Sequence, residues 1–175
     1  WQIEEGYKQT ALTMFNISKG IDDGDIIAQN KIKINYKDTI KDLLKKCDIE
    51  TNKLIKKYFD LIIQGKAPRK KQNNNISTYR SLRNNSNSLI DWNTTAKLIY
   101  NKVRALTYPY PGSFFYYRKK KIKVIKAAII KNKVINKLSK NLNNGDIVKK
   151  INSKKYKIKC SDGILEIDTK NKIKI

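Results

Sequence analysis

Histidine is absent from all 175 residues. That removes the commonest general base and the commonest metal ligand together. Cysteine is nearly absent: Cys47 and Cys160 stand far apart, with no CxxC spacing. Two buried thiols in a reducing compartment fit this pattern better than a zinc site or a disulfide framework, and no metal is expected. Long apolar runs are missing too, so no segment is expected to span a membrane. The opening WQIEEGYKQTALTMF lacks the basic start and apolar stretch of a secretory signal, and a cytoplasmic protein is expected. The chain enters at Trp1 instead of Met and reads as the C-terminal half of a longer polypeptide.

Acid is scarce, with 15 Asp and Glu against 39 Lys and Arg, a net charge of +24. Such an excess suits a polyanionic partner. Only Arg69, Arg80, Arg83, Arg104 and Arg118 are arginines, however, and the lysines are scattered among many Asn and Ile. That combination is also what an AT-rich genome imposes on any protein, so both readings stay open. Against this background three of the few carboxylates crowd into one stretch, GIDDGDIIAQ at 20–29, as Asp22, Asp23 and Asp25.

What is present divides into two patterns. Residues 8–17 read as a strand, AQNKIKI at 28–34 as a second, half-exposed one, and Gly20 and Gly24 allow the acidic stretch between them to turn tightly. Thr39 and Asp42 open a helical face of Ile40, Leu43, Leu44 and Cys47. A second helical stripe follows, Leu54, Ile55, Tyr58, Phe59, Ile62 and Ile63, expected to be core and closed by Gly65 and Pro68. Residues 69–90 are polar and rich in Asn and Ser, the composition of a linker.

Beyond it the group from Asp91 to Thr94 is placed to cap a helix with Ala96, Ile99, Val103 and Leu106 inward, and TYPYPGSF at 107–114 ends that helix. Short strands follow: SFFYYR, KIKVIKAAII, GDIVKKI, YKIKCS and ILEIDTK, with turn signals at Asn144-Gly145 and Asp162-Gly163. The expected organisation is α/β plus β, with residues 1–68 as the end of an α/β domain, 69–90 as a linker and 91–175 as a compact β domain. The aromatic group Tyr108, Tyr110, Phe114, Phe115, Tyr116 and Tyr117 suits either base stacking or a hydrophobic seam between the helix and the first strand.

Taken in order, GIDDGDIIAQ, the DT-initiated helix, LIDW, VRALTYPYPGSF and a late DGIL form a series. The series resembles the folate-dependent formyltransferase family, which includes methionyl-tRNA formyltransferase and the nucleotide-sugar N-formyltransferases. The resemblance runs from about residue 7 to residue 167. It implies a Rossmann-like catalytic domain, here only its C-terminal part, followed by an OB-like β-barrel. It implies a catalytic aspartate as the first acid of the (I/L)DxGD loop, which is Asp22. Asp23 then takes the variable place, and Asp25 ties the loop. The backbone of that loop, with Ser18, Gly20, Ile21 and Asp22, would hold the pterin of 10-formyltetrahydrofolate.

In this family the aspartate orients a histidine of an upstream Asn-x-His motif and favours its protonated form. That motif is absent here, so the 175 residues alone are not expected to catalyse the transfer. A simple turn role, in which the acids satisfy loop amides, is the alternative. The stretch STYRSLRNNSNSLIDW resembles the segment before the C-terminal domain of the sugar enzymes, and Arg83 matches an arginine there, although Asn84-Asn85 replace the usual Thr-Pro. The implied substrate is a nucleotide-linked amino sugar, with Arg83 meeting a phosphate through its planar fork. Transfer RNA is the alternative substrate, and a non-enzymatic basic module that binds nucleic acid is the competing class.

Overall fold

The computed structural model describes residues 1–131, 139 and 141–173. They gather into two compact units. One holds Tyr7–Tyr36 and Asp42–Ser81; the other holds Trp1–Gly6, Lys37–Lys41 and the chain from Leu82 onward.

In the first unit β1 (Gln9–Phe15) and β2 (Ile26–Lys33) pair antiparallel, from Gln9 opposite Lys33 to Phe15 opposite Ile26, with an irregularity between Met14 and Phe15. Lys70 extends this hairpin: its amide donates to the Ile26 carbonyl at 3.0 Å, and the Ile26 amide donates to the Lys70 carbonyl at 2.8 Å. The two helical stripes of the sequence are one helix, α1 (Ile40–Ile63), because nothing between Cys47 and Leu54 breaks a helix.

Its stripe is not the core the spacing suggests. Leu43 and Leu54 are buried, while Ile55, Phe59, Ile62 and Ile63 are exposed. At 1.5 Å per residue a helix of this length runs roughly 36 Å, and a two-stranded ribbon is too narrow to cover its face. Glu50 fixes the helix to the hairpin, accepting from Asn30 Nδ2 at 2.8 Å, and the Lys46 ammonium donates to the Lys33 carbonyl at 3.0 Å.

In the second unit α2 (Ala96–Leu106) packs on a five-stranded antiparallel sheet. The sheet is made of β3 (Ser113–Tyr117), β4 (Lys120–Ile130), β5 (Ile147–Asn152), β6 (Lys155–Cys160) and β7 (Gly163–Thr169), in the order β3-β4-β7-β6-β5. Among the described residues β3 and β5 are its two edges, and no pairing closes it into a barrel.

Ile99 and Val103 of the helix meet Phe115, Val124, Tyr156, Ile158, Leu165 and Ile167 of the sheet in one buried cluster. Strand β6 shows the alternation behind it: Tyr156, Ile158 and Cys160 are buried and the intervening lysines half exposed. The Tyr156 hydroxyl donates to the Ser153 carbonyl at 2.6 Å and accepts from the Ile173 amide at 2.9 Å.

The cap of α2 differs from the expected Asp91–Thr94 group. Thr95 is the cap, its hydroxyl accepting from the Leu98 amide at 3.3 Å, and Asp162, in the turn between β6 and β7, accepts from the Ala96 amide at 2.7 Å. Asp91 instead shapes the turn before the helix, accepting from the Asn93 amide at 2.9 Å.

Arg104, buried on α2, ties distant segments together. It donates to the Asp38 carbonyl at 2.7 Å and to Asn101 Oδ1 at 3.0 Å. The aromatic group splits by facing: Phe114 and Phe115 are buried, and Tyr108, Tyr110 and Tyr116 are exposed. Phe115 takes the edge of Trp92 at a centroid distance of 5.2 Å, so part of the group is a seam between the turn before α2 and β3.

Candidate functional site

The acidic stretch forms the loop from β1 to β2, and its backbone is held at three points. Asn16 closes the mouth: its amide and its Nδ2 both donate to the Asp25 carbonyl, at 2.9 and 3.1 Å. Asp25 therefore ties the loop through its backbone oxygen. The Asp23 carboxylate accepts from the Ser18 hydroxyl across the loop, so the acid in the motif's variable place is a fastening and Ser18 is engaged within the loop. The third point is Gln72, whose Nε2 donates to the carbonyls of Asp22 at 2.8 Å and Gly24 at 2.7 Å.

Gln72 lies in a segment whose composition reads as linker, and no sequence signal marks it. A Cβ on Gly24 would overlap the Asn16 carbonyl, so only glycine fits where the two ends of the loop cross.

Asp22 itself sits at φ 55, in left-handed backbone that side chains rarely adopt. Asp is among the few residues that tolerate it. Its side chain is exposed, and Ile21 beside it is 94% exposed. Among the described residues, no amide from Ile17 to Gly24 donates to a backbone carbonyl. The loop thus offers unspent backbone donors beside a carboxylate, a pairing able to hold the acceptor atoms of a heterocycle and to orient a cation.

Arg83 lies in the other unit. Its Nη2 donates to Glu4 at 2.8 Å, and Lys102 approaches the other oxygen of Glu4 at 3.5 Å. The guanidinium stacks over the Trp1 ring at 3.9 Å. Its Nη1 is buried without a partner among the described residues. Arg83, Trp1, Asn84 and Tyr110 line a cavity of about 670 Å³. One nitrogen of the fork is therefore spent on Glu4 and the other is uncommitted, half of what a bidentate phosphate contact uses.

The chain is similar to known proteins in sequence and in fold. Residues 84–174 match the family described as formyl transferase, C-terminal domain. The bifunctional polymyxin resistance protein ArnA of Wigglesworthia glossinidia brevipalpis is 39% identical over 129 residues, 74% of this chain and 20% of that protein. The methionyl-tRNA formyltransferase of Finegoldia magna is 33% identical over 167 residues, 95% of this chain and 51% of that protein. The crystal structure of the N-formyltransferase from Helicobacter canadensis, in complex with folinic acid and dTDP-3-aminofucose, superposes with a TM-score of 0.71. It is 26% identical, and the match covers 96% of this chain and 58% of that one. The chain thus spans about half the length of the methionyl-tRNA formyltransferase that it matches. With its family match covering residues 84–174, this chain belongs to the formyl transferase family.

Proposed function

We propose that the protein transfers a formyl group from 10-formyltetrahydrofolate to the amine of a nucleotide-linked amino sugar, with Asp22 as the one catalytic residue contributed by these 175 residues. The observation that carries this reading is Asp22 held at φ 55 with its carbonyl clamped by Gln72. Such strain persists only where the surroundings over-determine it, and it clusters at sites of chemistry.

The bound folate supplies a formyl carbon open to attack by an amine. That attack puts negative charge on the formyl oxygen and positive charge on the amine nitrogen, which must lose a proton before the product is released. This chain has no histidine to take the proton. Asp22 acts by orienting an imidazole supplied by polypeptide outside these residues and stabilising its protonated form. Ser18, Gly20, Ile21 and Asp22 hold the pterin through the backbone donors left unspent in the loop.

The same reading makes the hairpin and α1 the end of a Rossmann-like domain, makes the five-stranded sheet part of an OB-like barrel, and places the protein in the cytoplasm. No described helix is long and apolar enough to cross a membrane. For the sugar substrate, support comes from the 26% identity to a relative whose structure holds dTDP-3-aminofucose, and from Arg83, which lines a cavity of about 670 Å³ with one nitrogen of its fork committed to Glu4. A transfer-RNA substrate is the second reading, favoured by the 33% identity to a methionyl-tRNA formyltransferase across 95% of the chain. Assay of the full-length protein with an amino-sugar nucleotide and with aminoacylated initiator tRNA decides between them. Formylation of the sugar amine alone is expected, and formylation of the RNA alone overturns the substrate.

A further inference from the structure

We infer that Gln72 is a positioning residue for formyl transfer, a role that rests on Asp22 being the catalytic acid. Through the Asp22 peptide it sets where that acid and the neighbouring amide point, without itself meeting a reactant. Little else holds this peptide. Asn16 fastens the mouth of the loop, and the Ser18–Asp23 bond fastens a side chain. Among the described residues, Gln72 Nε2 is the group bonded to the backbone of Asp22, at 2.8 Å, and to that of Gly24, at 2.7 Å. No backbone bond among the described residues closes the turn itself, so the φ of 55 at Asp22 is held from outside it.

The clamp is itself fixed. Two residues before Gln72, Lys70 exchanges both backbone hydrogen bonds with Ile26, at 3.0 and 2.8 Å. Ile26 begins β2, directly after the loop. The half-buried Gln72 therefore reaches the turn from a short antiparallel segment that shares the loop's own base. A side chain anchored this way loses less freedom on making its bonds than one on a free tail.

What the clamp fixes follows from peptide geometry. The Asp22–Asp23 bond is trans, so turning the Asp22 carbonyl toward Gln72 turns the Asp23 N–H the opposite way. The same holds for the Gly24 carbonyl and the Asp25 N–H. Neither amide donates to a backbone carbonyl among the described residues. One face of the turn thus presents carbonyls, spent on Gln72, and the other presents N–H groups for the acceptor atoms of a ligand. The Asp22 side chain leaves the same backbone, and its allowed rotamers depend on the φ and ψ that the clamp maintains. An acid that orients an imidazole needs its place held to within about 0.5 Å.

The test is steady-state kinetics of the full-length protein with 10-formyltetrahydrofolate and an amino-sugar nucleotide. Four variants are compared: Gln72→Met, Gln72→Glu, Asp22→Asn, and Asp22→Asn combined with Gln72→Met. Met removes the donor without adding charge, and Glu keeps the size of Gln while aiming oxygen at the two carbonyls. Each Gln72 variant is expected to lower kcat by about 10–10²-fold, the scale of a misplaced group. Each is also expected to raise KM for the folate, which Asp22→Asn leaves near wild type because its backbone stays clamped. The double variant is expected to have a kcat no lower than that of Asp22→Asn, since Gln72 reaches the chemical step through that acid. Thermal melts of each variant confirm folding. Wild-type kcat in both Gln72 variants, with Asp22→Asn impaired, overturns the positioning role and leaves the acid in place. So does an additive loss of kcat in the double variant, which is what a merely structural fastening gives. Wild-type kcat in Asp22→Asn instead fails the reading of Asp22, and the positioning role with it.

Discussion

Gln72 and Asp22 are joined across 50 positions of sequence by a 2.8 Å hydrogen bond from the Gln72 amide to the Asp22 carbonyl. The same nitrogen reaches the Gly24 carbonyl at 2.7 Å, so one side chain spans the turn that carries the candidate acid. Replacing Gln72 by Ala removes both bonds, a loss of about 1–3 kcal/mol of local restraint. Trypsin cleavage after Lys19, in the same exposed loop, is expected to accelerate in Gln72→Ala while cleavage at other lysines is unchanged. An unaltered rate at Lys19 shows that the clamp does not hold the loop.

Gly24 makes a second, harsher constraint. Its missing Cβ leaves room for the Asn16 carbonyl, and backbone cannot swing aside as a side chain can. Gly24→Ala is expected to cost about 1–3 kcal/mol or more through overpacking. Gly20→Ala should cost less, because there the obstacle is the Asp23 carboxylate. Urea denaturation of the two variants checks the order, and equal midpoints contradict it.

Arg104 links three stretches of the chain from the middle of α2, through the carbonyls of Asp38 and Ile3 and the side chain of Asn101. Arg104→Met keeps the stem and leaves those buried acceptors without the guanidinium. A loss of about 2–4 kcal/mol in unfolding free energy is expected. Wild-type stability in that variant would mean that water replaces the guanidinium without cost.

Cys160 supplies a prediction in pH. Burial first, then the nearby Asp162 carboxylate, pushes its thiol up to about 11 from an ordinary value of 9.0. A raised folded value favours the protonated thiol, so the stability it contributes is whole below pH 9 and is lost as pH rises through about 11. Wild type should lose stability relative to Cys160→Ala across that window, and parallel curves count against it. At neutral pH a thiol reagent should modify Cys47 before Cys160, which is 0% exposed.

How far the sequence reads depends on how local the physics is. The inward face of α2, Ala96, Ile99, Val103 and Leu106, was legible from spacing, and all four are buried. The alternation of β6 was equally legible, because a strand has period two whatever it packs against. The α1 stripe misleads because its periodicity states which face is apolar and nothing about whether a neighbour covers it.

The rest is long-range. Asp162 caps a helix 66 positions away, and Gln72 clamps a loop 50 positions away, each through a hydrogen bond with no sequence mark. The hairpin turn at Arg118 and Lys119 was hidden for another reason. Both residues adopt positive φ, 47 and 64, without the Asn or Gly that usually announces such a turn. At the acidic loop Asp25 ties the backbone as expected, through its carbonyl, while the Asp23 side chain, in the motif's variable place, is a second fastening that the motif does not announce.

The central claim is that Asp22 serves chemistry and not the turn. It is tested most directly by the turnover of full-length protein carrying Asp22→Asn, with 10-formyltetrahydrofolate and an amino-sugar nucleotide. Asparagine tolerates the same left-handed backbone and keeps the carbonyl that Gln72 holds, so the fold should survive. Turnover is expected to fall by about 10²–10⁴-fold, the range for a lost acid–base contribution, with an unchanged thermal melt. Wild-type turnover in a folded Asp22→Asn protein would contradict the account.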